Sequence, residues 1–279
     1  MTYFNETKCI EKLLNNINRI FDFHDKIKEI DKSLEKLYPI AVVFDSKNIL
    51  IFDIDPLGKK YEYKMENSTM DFPQSIVAAK KLEIYEGKMS AIISNKIFKG
   101  KQGFVFLFDD IEDYVYIFHE FIHCFQFYDN EMNDVIKMNI SKEAIEKNNL
   151  PLEIFESLGI LETKKSFPYK NKLFIEKTIE LNNGYEIEKY HEEMKKELNQ
   201  IDFEYMILQE WHEGYACYIE KIIREKIGLK KEKDKLNVPF DRFSFYNIGS
   251  RYIEKIIKNN IKLKNNHKEI FYKMLNCKI

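Results

Sequence analysis

The segment His119-Glu120-Phe121-Ile122-His123 carries two imidazoles four residues apart, with a carboxylate beside the first. On a helix, positions i and i+4 lie on one face, so both rings can turn a nitrogen toward a single ion. Imidazole nitrogen binds zinc at about 2.0–2.1 Å. Glu120 then points beside the ion, where a carboxylate can take a proton from a polarised water. The chemistry expected of this trio is metal-assisted hydrolysis. The flanking Tyr114, Val115, Ile117, Phe118, Phe121, Ile122 and Phe125 are apolar on nearly every side, which predicts a buried central helix. Two histidines and a glutamate in such a helix are costly unless paired or metal-bound.

A catalytic zinc site takes three protein ligands and keeps a fourth position open. The candidate third ligand lies in the run from Gln209 through Glu210, Trp211, His212, Glu213, Gly214, Tyr215, Ala216, Cys217, Tyr218 and Ile219 to Glu220. H-E-x-x-H followed by E-G-x-A-x-Y-x-E resembles the gluzincin zinc peptidases. The closest likeness is to the aminopeptidase-N-type branch, whose second motif reads N-E-G-F-A. The resemblance implies a zincin-like fold, Zn2+ as cofactor, His119, His123 and Glu213 as its ligands, and Glu120 as general base. It also implies that Glu220, seven residues after Glu213 on the same face, bonds a ligand histidine. Small residues at Gly214 and Ala216 suit close packing against the HExxH helix. In the same branch a Y-x-x-G tyrosine donates to the oxyanion, and Tyr246-Asn247-Ile248-Gly249 matches it. A phenol there can hydrogen-bond oxygen that becomes negative in the transition state; Arg251 and Tyr252 are alternates for that role.

Other residues compete. Asp129 lies at a spacing some metzincins use for a third ligand, although those need glycine where this chain has Gln126. Glu210 and His212 adjoin Glu213 and are rival ligands. The gap from His123 to Glu213 is 90 positions, far longer than is typical of the branch, and its amine-anchoring G-A-M-E-N-type motif is not visible. What carries over is zinc-dependent hydrolysis of a peptide or protein substrate, not aminopeptidase specificity. A zinc hydrolase of a non-peptide amide or ester, and a non-catalytic zinc-bound protein that binds peptides or partner helices, are the alternatives.

The elements that must position these residues follow from periodicity. Apolar residues at spacings of three and four predict an amphipathic helix over 5–37, with His24 semi-buried on its stripe. Ile40–Phe44, Ile49–Ile54 and Tyr61–Tyr63 read as a β-meander. A helix is predicted at about 73–86, then strands at Ala91–Ser94 and Phe104–Phe108. The family fold makes one of these two strands the edge to which an extended peptide adds. Asp109 or Asp110 can cap a helix running to about Tyr128, with Asp113 in its first turn. Later helices are predicted at about 141–148, 151–163, 172–181, 185–199, 202–228, 244–260 and 266–276, with a solvated charged connector at 230–235. His191 and His267 fall in polar surroundings and read as exposed. The fold class expected is α+β: an α+β lobe over 1–130 ending in the HExxH helix, and a helical lobe over 131–279 carrying the third ligand, together one catalytic unit.

Composition bounds the rest. The 279 residues carry 44 Lys+Arg against 46 Asp+Glu, a formal net charge of −2, which excludes a strongly basic nucleic-acid binder. Four widely spaced cysteines suggest neither a disulfide framework nor a zinc finger. No signal-peptide pattern opens the chain and no apolar run spans a bilayer. The expectation is a soluble, cytoplasmic protein.

Overall fold

A computed structural model describes residues 2–43, 48–67, 84–85, 88–89, 91–93, 110–128, 138–139, 172–230 and 242–277. The chain divides into two compact units, Met1–Phe125 and Gln126–Ile279. The architecture is α+β and mostly helical.

The first unit opens with helices α1 (Thr2–Asn18) and α2 (Ile20–Ile27), followed by a 3-10 turn at Lys32–Leu34. The single helix expected over 5–37 is therefore broken. At the break, Arg19 N–H bonds the Asn16 carbonyl, three residues back. Asn18 turns its amide onto the sheet, accepting from Tyr61 N–H at 2.6 Å and donating to Tyr61 carbonyl at 3.3 Å. A side-chain amide thus does there what a neighbouring strand would do. The apolar stripe still holds, with Ile10, Leu13, Ile17, Ile20, Phe23 and Ile27 buried. His24 lies half-buried on it, as expected, and its Nε2 pairs with the Leu34 carbonyl at 2.7 Å.

Strands β1 (Ile40–Val43), β2 (Asn48–Ile54) and β3 (Tyr61–Asn67) form the expected meander. Ile40 faces Phe52, and Ile54 faces Tyr61, in antiparallel register. The β2–β3 turn is organised by Asp55, whose carboxylate accepts from Lys59 and Lys60 N–H, with Gly58 at φ +68°. Ile84–Tyr85 (β4) pairs with Lys88–Met89 (β5) as a two-stranded ladder. Those positions were expected to end a helix; Ile and Tyr both suit a strand, and the rest of that helix and strand Phe104–Phe108 lie outside the described residues. Ala91–Ile93 (β6) runs parallel to β1, which gives the order β3-β2-β1-β6. Among the described residues β6 is the last strand of this order.

Helix α3 (Ile111–Tyr128) starts with a reciprocal cap: Asp110 accepts from Glu112 N–H, and Asp113 accepts from Asp110 N–H. In the first unit its apolar flank packs ring on ring, Phe118 against Phe23 and Phe121, and Phe121 against Tyr38.

The second unit contains α4 (Lys172–Asn182), α5 (Ile187–Glu197), α6 (Gln200–Lys226), α7 (Arg242–Asn259) and α8 (His267–Asn276), each close to its expected range. The expected helices at 141–148 and 151–163 lie outside the described residues, as does all but the start of the charged connector. Asn199 caps α6 by accepting from Asp202 N–H, and Gly228 at φ +76° ends it. α6 is buried over most of its 27 residues, the signature of a core helix rather than a surface one. Trp211, the chain's one tryptophan, is buried against Phe271 of α8 and donates to the His267 carbonyl at 3.1 Å.

Candidate metal centre

α3 sets the two imidazoles one above the other: the His119 and His123 rings lie 4.8 Å apart and nearly perpendicular. His119 is buried, while His123 and Glu120 are half-buried. Tyr114, Val115, Ile117, Phe118, Phe121, Ile122, Cys124 and Phe125 fill the rest of the helix surface with buried side chains. Tyr116, 47% exposed, stacks parallel to His119. Glu120 therefore stands on the strip of the helix that also carries exposed Tyr116 and half-buried His123.

α6 carries Glu213, a buried carboxylate, with His212 Nδ1 at 3.9 Å from its Oε1. The His212 carbonyl accepts from Gln126 Nε2 at 3.3 Å. Gln126 is itself buried within α3, which remains helical through Tyr128; the glycine turn that an Asp129 ligand requires is replaced by helix. Asp129 lies outside the described residues.

His119, His123 and Glu213 each offer a ligand atom, and the three atoms lie within 4.8 Å of one another, close enough to hold a metal ion. Two imidazoles and a carboxylate fit zinc and leave a coordination position open. A second group joins His119 to Cys217 and Glu220 on the same distance criterion. Glu220 also accepts from Arg224 Nε at 3.0 Å. Cys217 had no role in the sequence reading; its signal is its position four residues after Glu213 on one helix face.

The structure corrects several expectations. His191 is fully buried, not exposed: its Nε2 lies 2.5 Å from Glu210 Oε2. Glu210 is thus engaged in the core by His191. Burial pushes its carboxyl up, and His191 opposes the shift. His267 is buried against the Tyr215 ring at 3.7 Å, not solvated. Gly214 meets α7 rather than the HExxH helix as its nearest neighbour: a Cβ there would lie 2.7 Å from Gly249 backbone.

The three oxyanion alternates separate. Tyr252 is buried and stacks on His191 at 3.8 Å. Arg251 lines a shallow surface depression of about 270 Å³ with Tyr185, Glu186, Glu188 and Glu254. Tyr246 is half-buried in the first turns of α7, edge-on to the exposed Phe243.

No protein-family model, curated protein or solved structure matches the chain. Among the described residues no helix is long and apolar enough to cross a membrane.

Proposed function

We propose that this chain is a gluzincin-type zinc peptidase with a zincin-like catalytic core. The observation that carries the reading is the H-E-x-x-H face of α3, with the His119 and His123 rings 4.8 Å apart and Glu120 beside them; Glu213 is the third ligand that the family resemblance implies, and its carboxylate groups with both imidazoles. A zinc ion held there supplies Lewis acidity toward a carbonyl oxygen and toward water. Glu120 takes the proton of the attacking water and hands it to the leaving amine. The Tyr246 hydroxyl donates to the oxygen that becomes negative. Glu220, held by Arg224, orients the His119 ring. Strand β6, or the Phe104–Phe108 segment, offers main-chain groups to an extended peptide. A cytoplasmic location is part of the reading, supported by Cys124, Cys217 and Cys277, none of which is in a disulfide.

The test is metal content with cleavage. Freshly purified protein should hold one zinc and cut members of a diverse peptide mixture read by mass spectrometry. Glu120→Gln should keep the zinc and lose cleavage by about 10²-fold or more. Glu213→Ala should lose the zinc. Protein without zinc refutes the reading; metal lost in Asp129→Ala but retained in Glu213→Ala replaces Glu213. Zinc with no peptide cleaved refutes the peptidase assignment.

A further inference from the structure

The proposed hydrolysis makes no use of the His191–Glu210 pair, yet both side chains are completely buried. His191 Nδ1 lies 2.7 Å from the Ile187 carbonyl. A carbonyl only accepts, so Nδ1 keeps its proton and Nε2 is left to face Glu210. Tyr252 stacks on one face of the ring, 16° from parallel, and Tyr190 meets it edge-on. The ring has one orientation. On its other side Glu210 is gripped through its main chain: a Cβ on Gly249 would lie within 2.7 Å of its carbonyl group and Cα. One residue of α6 is therefore fixed from α5 through its carboxylate and from α7 through its backbone. Glu213 is the third residue beyond it, just under one turn away.

Stability alone does not explain such a pair. Apolar residues of similar volume generally stabilise a core as well or better, whereas a directional pair fixes register. We infer that His191 and Glu210 are positioning residues, which hold the turn of α6 that presents Glu213. The inference rests on the reading of Glu213 as a metal ligand.

The decisive variant is His191→Leu with Glu210→Met, which keeps the volume and removes the direction. Its urea midpoint should equal or exceed that of wild type. In metal-free protein its amides over Trp211–Tyr215 should exchange about tenfold faster. Its zinc affinity should fall about 10- to 100-fold. Replacing the pair by His191→Gln with Glu210→Gln restores a directional neutral bond and should recover most of both losses. Wild-type exchange, or wild-type zinc affinity, in the apolar double variant overturns the inference. So does a double variant that fails to fold, since the pair would then be holding the fold itself. Wild type that takes no zinc refutes the metal reading, and the exchange rates alone then decide whether the pair fixes the turn.

Discussion

Replacing Gly249 with alanine should force α6 and α7 apart. The added Cβ would lie 1.9 Å from the Glu210 carbonyl oxygen and 2.6 Å from its carbon. Ordinary contact begins near 3.4 Å, so α6 and α7 must separate by about 1.5 Å, the difference between 3.4 and 1.9. No rotamer can relieve the clash, because both partners are backbone. A gap of 0.5–1 Å already forfeits a quarter to a half of each dispersion contact. Phe245, Ile248, Ile253 and Ile256 of α7, all buried, would lose part of theirs. Overpacking of this kind costs about 1–3 kcal/mol, occasionally more, and a backbone clash belongs at or above the upper end. Against it stands the helix preference for alanine over glycine, about 1 kcal/mol. The balance is a loss of about 2 kcal/mol or more. With a urea m-value of about 2 kcal/mol/M, the midpoint falls by about 1 M. The fluorescence of Trp211, on α6 itself, follows the transition. Gly58→Ala is the control: its φ of +68° imposes strain, but nothing lies within 4 Å, so the cost is held to about 1–2 kcal/mol. A midpoint for Gly249→Ala at or above wild type would refute the close approach of the two helices.

Two further outcomes follow from titration. Partial burial pushes the Cys277 thiol from 9.0 up to about 11, with Lys195 opposing, so at pH 8 it should alkylate about a hundredfold more slowly than an ordinary thiol; mass spectrometry of its peptide after timed iodoacetamide labelling checks this, and ordinary reactivity counts against the half-buried setting. Burial also lowers the pKa of His24 from 6.5, with the Leu34 hydrogen bond opposing. The unfolded chain therefore takes up the proton more readily, and stability contributed by neutral His24 is present above pH 6.5 and lost as pH falls below it. Urea midpoints at pH 7.5 and 5.5 should converge in His24→Gln relative to wild type, and an equal pH dependence in both would show that His24 is not responsible.

The local elements were legible because their causes are local. The cap at Asp110 and Asp113, the Gly58 turn and the apolar stripe through Ile10, Leu13, Ile17 and Ile20 each depend on residues a few positions apart. The helix break at Arg19 was not legible, since the periodicity runs through it, and the partner that Asn18 takes beside it, Tyr61, is 43 residues away. In the candidate site, His119, Glu120 and His123 could be read from spacing alone. Glu213 could not, because four acidic or imidazole side chains crowd Glu210–Glu213 and Glu220 on one helix, and choosing among them required knowing what each one faces.

His191 and His267 show why polar neighbours in sequence mislead. His191 sits in Tyr190-His191-Glu192-Glu193, which reads as a solvated face, and Glu192 is indeed exposed. Yet α5 places Tyr190, His191 and Met194 on its buried side. Met194 lies three residues after His191 and four after Tyr190, spacings that put the three on one inward stripe in which histidine takes an apolar position. A buried histidine on such a stripe requires a partner, and a long core helix with an acidic residue inside its apolar run can provide it. Glu210 lies in the buried run from Phe203 to Trp211, and a carboxylate there needs a cation or a donor as much as the histidine needs it. Two unsupported polar residues on two apolar stripes are therefore evidence for each other, and that complementarity, rather than the charge of the flanking residues, is the signal that marks Glu210 as a core partner of His191.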